Sequence, residues 1–135
     1  MSTGTTPKPL FWMASSKKDL KSFPRLVQKR CGFALRHAQS GTKHPDAKPL
    51  KRFKGAGVLE VVEDHEGSTY RAVYTVRFAK AVYMLHAFQK KSKKGIKTPK
   101  HEIELVAKRL KMAEEHYEEW RREQKNEGEE PEPGR

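Results

Sequence analysis

The densest cluster of positive charge in the chain is the run "KKSKK" at residues 90–94, which follows the strand-forming segment "AVYMLHAFQ". Side chains alternate across a strand, so in the preceding segment "TYRAVYTVRF" Arg71 and Arg77 share a polar face. If the two segments form an antiparallel pair, the end of the second lies beside the start of the first. Arg71, Lys90 and Lys91 then converge on one corner of a sheet. Guanidinium and ammonium groups in this arrangement can bind a phosphate and stabilise charge that develops on it during a reaction.

Each of these residues also has a simpler interpretation. Arg71 could pair with a carboxylate of a neighbouring strand, Glu60 or Glu63, on an exposed surface, and the lysine run could be a solubilising loop. His86 is a candidate general acid or base because imidazole titrates near neutral pH, although a single strand histidine is more often structural. The other histidines show no metal-ligand spacing, so we expect neither a metal nor a cofactor.

Charge distribution favours a nucleic-acid partner. The net charge is +12, and residues 1–112 alone contain 25 Lys and Arg against 8 Asp and Glu. A strongly cationic body is typical of nucleic-acid binders, although an acidic protein partner would select the same charge. The single cysteine, Cys31, excludes an internal disulfide. No apolar run approaches the roughly 20 residues of a membrane span, and the N-terminus lacks a signal-peptide core, so we expect a cytosolic protein.

The first part of the chain predicts a strand followed by two helices. "LFWMA" is a short apolar strand, and Ser16 with Asp19 three residues later resembles a capping box that starts a helix. Pro24 disfavours helix in the residue before it, so we expect a break near Phe23 and then a longer helix that ends by Gly41.

The second part predicts three strands and a last helix. "VLEVVED", "TYRAVYTVRFA" and "AVYMLHAF" are joined by short turns and indicate an antiparallel meander. The helix begins at Thr98 and Pro99, an N-cap residue and a favoured first helical residue. The order strand, helix, helix, three strands, helix predicts an α+β domain with a mainly antiparallel sheet. We expect the helices on one face of the sheet and the other face open.

The segment "TYRAVYTVRF…AVYMLHAFQKKSKKGIKTPKHEIELVAKRL", with "SSKKDLKSFP" and "GAGVLEVVEDHEGSTYRAVY" upstream, resembles the RelE/ParE toxin superfamily and is most similar to its HigB-like, phage-derived branch. The resemblance covers about residues 10–112. It implies a RelE-like toxin of a type II toxin–antitoxin pair, which cleaves mRNA on the ribosome without a metal by attack of the ribose 2′-OH on the neighbouring phosphate. It also implies neutralisation by a cognate helix-turn-helix, HigA-like antitoxin.

The resemblance assigns roles by position. Arg71 matches the arginine that contacts the scissile phosphate, Lys91 stands where the prototype has a second catalytic arginine, and Lys90 keeps the neighbouring lysine. His86 or His101 is the candidate for proton transfer, because the strand lysines and the tyrosine of the prototype have no counterpart here. The candidate contacts to the RNA backbone are Lys51, Arg52, Lys54, Arg77, Lys93 and Lys94.

Two other functions remain open at this point. A ParE-like inhibitor of DNA gyrase would share the fold without needing the basic cluster, and a gyrase supercoiling assay would identify it. A non-catalytic nucleic-acid-binding module would use the same cations only to hold phosphates, with steep salt dependence and no effect on growth.

The division of the chain follows its composition. We expect a flexible segment at residues 1–9, the RelE-like domain at 10–112, and an acidic helical extension with a disordered tail at 113–135. This last part has 9 acidic against 4 basic residues. It is either a solubilising extension or a segment that masks the cationic corner or helps to hold the antitoxin.

Overall fold

The computed structural model describes residues 6–53, 55–90 and 98–128. The strands are β1 (Leu10–Trp12), β2 (Ala47–Pro49), β3 (Val58–His65), β4 (Ser68–Thr75) and β5 (Val82–Lys90), and the helices are α1 (Ser16–Lys21), α2 (Arg25–Gln39) and α3 (Lys100–Gly128). A single turn of 3-10 helix, Lys51–Phe53, follows β2. The predicted α+β class and the order of the predicted elements are confirmed, and β2 is an additional short strand that the sequence pattern did not predict.

In the part of the chain that the structure describes, the five strands form one sheet in the order β1-β5-β4-β3-β2. The meander of β3, β4 and β5 is antiparallel as predicted, whereas β1 runs parallel to β5 at the edge of the sheet. The turn between β3 and β4 has only two residues, Glu66 and Gly67, both with positive φ. Such a turn matches the twist of the flanking strands and fixes their register, so Val62 lies opposite Arg71.

Helices cover both faces of the sheet, and the expectation of one open face is wrong. On one face, α1 and α2 bury an apolar cluster that includes Val27, Cys31 and Tyr74. On the other face, α3 packs through Ile103, Val106 and Leu110. The residues from Val82 to Phe88 are all buried, because the side chains of β5 are divided between the two faces of the sheet and helices cover both faces.

The helical hairpin follows local rules of the sequence. Pro24 directly precedes α2 and supplies the fixed φ that suits a helix start. Gly41, with φ of 84°, follows the end of α2 and accepts a left-handed conformation that other residues resist. The predicted break near Phe23 and the predicted end of the long helix are therefore both confirmed.

α3 continues through the predicted domain boundary at residue 112. Ala113 is fully buried, and Tyr117 and Trp120 pack against the apolar cluster on the α3 side of the sheet. The first part of the acidic extension is therefore attached to the body of the protein, while its tail from residue 129 lies outside the described residues. No helix among the described residues has the length and apolar character needed to cross a bilayer.

Candidate active site

Arg71 forms a buried ion pair with Glu60. It lies in the middle of β4 on the face covered by α3, and its Nη1 donates to Glu60 Oε1 at 2.8 Å. The two residues are 2% and 7% exposed, so the expectation that Arg71 lies on an open polar surface is wrong. Arg71 Nη1 also contacts Thr98 Oγ1 at 3.4 Å, just before the start of α3. The N-terminal end of α3 thus closes over the guanidinium.

The pair has a clear physical cause. Removing a charged group from water is costly unless an opposite charge and hydrogen bonds compensate for the lost hydration. Glu60 lies opposite Val73 and is therefore a diagonal neighbour of Arg71 across the β3–β4 pair. Its side chain points to the same face, because residues directly opposite each other in a sheet share a face. Burial of this face by α3 turns the cross-strand contact into a buried ion pair.

Lys90 shares this face with Arg71. Arg71 lies opposite Phe88 and Thr69 lies opposite Lys90, which makes Arg71 and Lys90 diagonal neighbours across the β4–β5 pair. Lys90 is half-buried at the end of β5. The other members of the predicted basic corner, Lys91, Lys93 and Lys94, lie outside the described residues.

His86 is engaged at both ring nitrogens. Its Nε2 lies 2.5 Å from Glu102 Oε1, and Arg109 Nη1 lies 3.0 Å from its Nδ1. Because an arginine can only donate, Nδ1 must accept and Nε2 must carry the proton that is donated to Glu102. With His86 only 5% exposed, neither nitrogen faces solvent with a proton to exchange.

Arg109 extends this contact into a network that joins three elements. Besides His86, its guanidinium donates to the backbone oxygen of Leu85 at 3.1 Å and to Ser15 Oγ at 3.3 Å. The Ser15 hydroxyl in turn donates to Asp19 Oδ2 at 2.7 Å. The network therefore holds α3 against β5 and against the start of α1. Its direct effect is to position the first turns of α3, next to the Arg71–Glu60 pair.

Sequence reasoning did not assign Thr98, Glu102 and Arg109 to the surroundings of Arg71 and His86. Glu60 had been named as a possible partner of Arg71, but on an exposed surface and not in a buried pair. A signal existed for Arg109, because residue 109 lies three positions after Val106 and one before Leu110, on the edge of the buried face of α3. A charged residue in that position implies a buried partner.

The remaining predicted RNA contacts lie at the opposite end of the sheet from Lys90. Lys51 and Arg52 are exposed in the 3-10 turn that precedes β3, and Arg77 follows the end of β4. Gly57 brings these segments together, because a Cβ at that position would lie 2.9 Å from the Cα of Arg77. Six strand residues separate this end from Thr69, about 20 Å. The structure thus separates the predicted cations into two groups, and Lys54 lies outside the described residues.

Arg77 is paired with an acidic residue of α3. Its Nη1 contacts Glu114 Oε2, and the two side chains are 44% and 37% exposed. This exposed pair joins the cationic body to the acidic part of α3.

Other reactive side chains are not placed for catalysis. Cys31 is 1% exposed, and burial, with a smaller effect of the Glu63 charge, raises the pKa of its thiol to about 12. The nucleophilic thiolate is therefore negligible near neutral pH. Within the described residues, no group of three or more His, Cys, Asp or Glu side chains could hold a metal ion.

The comparisons with known proteins identify a family. The profile of the phage-derived Gp49-like proteins matches residues 18–111. In structure, the chain is similar to a toxin–antitoxin complex, RelBE2 from Mycobacterium tuberculosis, with a TM-score of 0.39 and 22% identity over 67% of this chain and 100% of that one. No curated protein matches in sequence.

Proposed function

The chain belongs to the family of phage-derived Gp49-like proteins, and we propose that it is the toxin of a type II toxin–antitoxin pair. In this proposal it acts as a ribosome-dependent mRNA endonuclease and is neutralised by a cognate HigA-like antitoxin. The ribose 2′-OH loses its proton as its oxygen bonds to the adjacent phosphorus, the bond from phosphorus to the 5′-oxygen breaks, and this oxygen takes up a proton, which leaves a 2′,3′-cyclic phosphate and a 5′-hydroxyl. Arg71 stabilises the charge on the phosphate, and Lys90 with Lys91 orients it.

The observation that best supports this proposal is the shared face of Arg71 and Lys90. The two side chains are diagonal neighbours at the end of the sheet from which the run "KKSKK" continues. Two cations so arranged suit a phosphate that gains charge in its transition state. A proton-transfer role for His86 requires that one of its bonds, to Glu102 or to Arg109, opens first.

The Arg71–Glu60 pair sets a condition on this chemistry. The Glu60 carboxylate already occupies Arg71 Nη1 in the free protein, so a scissile phosphate that binds at this atom must displace it. Free RNA in water gains little from that exchange, because the carboxylate would be left buried without a partner. RNA that the ribosome already holds in place loses less translational and rotational freedom on binding. The exchange is therefore more favourable on the ribosome, which agrees with a ribosome-dependent activity and weak cleavage of free RNA.

The same pair favours a second candidate function, a non-catalytic nucleic-acid-binding module. If Arg71 only stabilises the fold, the exposed cations, such as Lys51 and Arg52, would bind phosphates without cleavage. Such a protein would show steep salt dependence of binding and no effect on growth.

The test is induced expression with mapping of mRNA 5′ ends. We expect growth arrest with new mRNA ends in the wild type, and loss of both in Lys90→Ala. The matched control is Lys43→Ala, an exposed lysine in the loop after α2, which should keep both. Arrest without new ends would favour gyrase inhibition, and RNA binding without arrest would favour the second candidate.

A further inference from the structure

α2 carries an exposed apolar stripe on the side that faces away from the sheet. Leu26 and Phe33 are 45% and 41% exposed. They are seven residues apart, which is two turns and about 10 Å along the helix axis. The helix already buries Val27, Cys31 and Leu35 against the sheet, so these two side chains are not needed for its packing.

The stripe is bordered by basic residues. At about 100° per residue, Lys29 and Arg36 flank it on one side, and Arg30 and His37 flank it on the other. α2 contains no Asp or Glu. Arg30 pairs with Glu63, whereas no ion pair among the described residues involves Lys29 or Arg36. The surface therefore combines exposed apolar groups with uncompensated positive charge.

One end of the stripe forms a shallow cavity of about 230 Å³, lined by Phe33, Arg36, His37 and Ser40. This volume lies below the range typical of small-molecule sites, but it can hold one side chain. The Arg36 guanidinium lies 5.4 Å from the centre of the Phe33 ring and covers part of its face.

We propose that Leu26 and Phe33, with Lys29 and Arg36, form a docking surface for an acidic amphipathic helix of a protein partner. Apolar side chains one or two turns apart would pack on Leu26 and Phe33, and carboxylates would pair with Lys29 and Arg36. A nucleic acid fits less well, because Leu26 offers no ring for base stacking and Arg36 already covers Phe33. This inference goes beyond the proposed function and does not depend on RNA cleavage.

A second copy of the chain is a poorer occupant. Its acidic surface is on α3, but the apolar residues of that segment, Tyr117 and Trp120, pack on their own sheet. Met112 is the one exposed large apolar side chain among the described residues of α3. A second copy would thus supply carboxylates but not the two spaced apolar side chains that Leu26 and Phe33 require.

The test is a selection from a display library of helical peptides against the full chain. We expect enriched peptides to carry net negative charge and apolar residues at helical spacing. They should bind about tenfold more weakly to the double variant Leu26→Ser, Phe33→Ser and to Arg36→Glu. The control is Met112→Ser, because Met112 is equally exposed, at 40%, but lies on α3. Thermal unfolding of each variant checks that the fold is intact.

Several results would overturn the inference. The selection could enrich no peptides, or peptides without acidic residues. The selected peptides could also bind the double variant as tightly as the wild type, or lose as much affinity for Met112→Ser as for the double variant. Binding of a single-stranded RNA oligonucleotide that is lost in the double variant would point to nucleic acid instead. A concentration-dependent dimer in sedimentation that the double variant abolishes would point to a second copy.

Discussion

Glu60 accepts a hydrogen bond from Arg71 across two strands, and the pair is sealed from water by the N-terminal end of α3. The arrangement joins two demands on one residue. Arg71 must be cationic and correctly placed to act on a phosphate, and the same charge must be compensated while it is buried. Glu60 compensates the buried charge of Arg71, but it occupies an Nη1 atom that could otherwise contact a phosphate. A variant that tests the role of Arg71 in function must therefore also keep the buried charge of Glu60 from being left without a partner.

Replacing only one member of the pair should destabilise the protein strongly. Arg71→Ala leaves Glu60 buried without its partner, which typically costs about 3–5 kcal/mol. The double variant Arg71→Met, Glu60→Leu removes both charges and keeps the volume, so it should be close to the wild type in stability. Urea unfolding of the wild type, the single variants Arg71→Met and Glu60→Leu, and the double variant gives the coupling energy between the two sites.

This series also separates folding from function. If Arg71 acts on RNA, the folded double variant should cause no growth arrest. Arrest that survives in the double variant would remove Arg71 from the mechanism. Stability unchanged in Arg71→Ala would show that the pair is not buried in solution.

The protonation pattern of His86 is fixed by its two neighbours. Arg109 donates to Nδ1 and Glu102 accepts from Nε2, so the neutral ring should carry its proton on Nε2. A long-range proton–nitrogen NMR spectrum of the histidine rings at neutral pH measures this directly. The tautomer preference should weaken in Arg109→Met, which removes the donor to Nδ1. A ring with its proton on Nδ1 would contradict the network.

Two buried tyrosines should respond differently to loss of their hydroxyl group. Tyr74 and Tyr83 are 1% and 0% exposed, but Tyr83 OH lies 2.7 Å from His116 Nδ1, whereas Tyr74 OH has no hydrogen-bond partner among the described residues. Tyr83→Phe should lower the free energy of unfolding by about 1 kcal/mol, and Tyr74→Phe should leave it unchanged or raise it. Chemical denaturation of both variants tests the contrast, and equal losses would indicate a partner for Tyr74.

Much of the fold was predictable because local rules determine it. Pro24 and Gly41 mark the ends of α2, and the two-residue turn at Glu66 and Gly67 fixes the β3–β4 register. That register even selects the partner of Arg71. Glu60 falls on its face of the sheet, while Glu63, which lies opposite Tyr70, falls on the other.

The layer in which α3 packs was harder to predict. Its apolar residues could cover either face, and three-residue strands such as β1 and β2 carry too little pattern to reveal their neighbours. The available sequence signal is the nearly continuous apolar run "AVYMLHAF" of β5. A strand without polar alternation is typically covered on both faces of its sheet. Because α3 was expected on the other layer, Arg71 was expected on an open polar surface, and its burial is the main correction at the candidate site.

Stability should fall at alkaline pH, in part through Cys31. Burial raises the pKa of its thiol from 9.0 to about 12, so the unfolded chain loses this proton first as the pH rises. The contribution of the protonated Cys31 thiol to the free energy of unfolding is complete below pH 9. It is lost between about pH 9 and 12, by at most about 1.4 kcal/mol per pH unit. The stability difference between the wild type and Cys31→Ala should therefore shrink from pH 9 to pH 11. Val27→Ala, on the same buried face of α2, should show a difference that does not depend on pH.

The exposed pair between Arg77 and Glu114 should limit RNA binding if Arg77 contacts phosphate. Pairs of this exposure contribute about 0.2–1 kcal/mol, so Glu114→Gln should tighten binding of a short single-stranded RNA by at most about fivefold. An added phosphate contact should also steepen the dependence of log K on log salt concentration by about 0.7. Glu118→Gln is the matched control, because it makes the same charge change one turn later on an exposed part of α3. An equal effect of both variants, measured by fluorescence anisotropy across salt concentrations, would mean that only net charge matters. No effect of Glu114→Gln would exclude Arg77 from the RNA interface and leave Lys51 and Arg52 as the candidates at that end of the sheet.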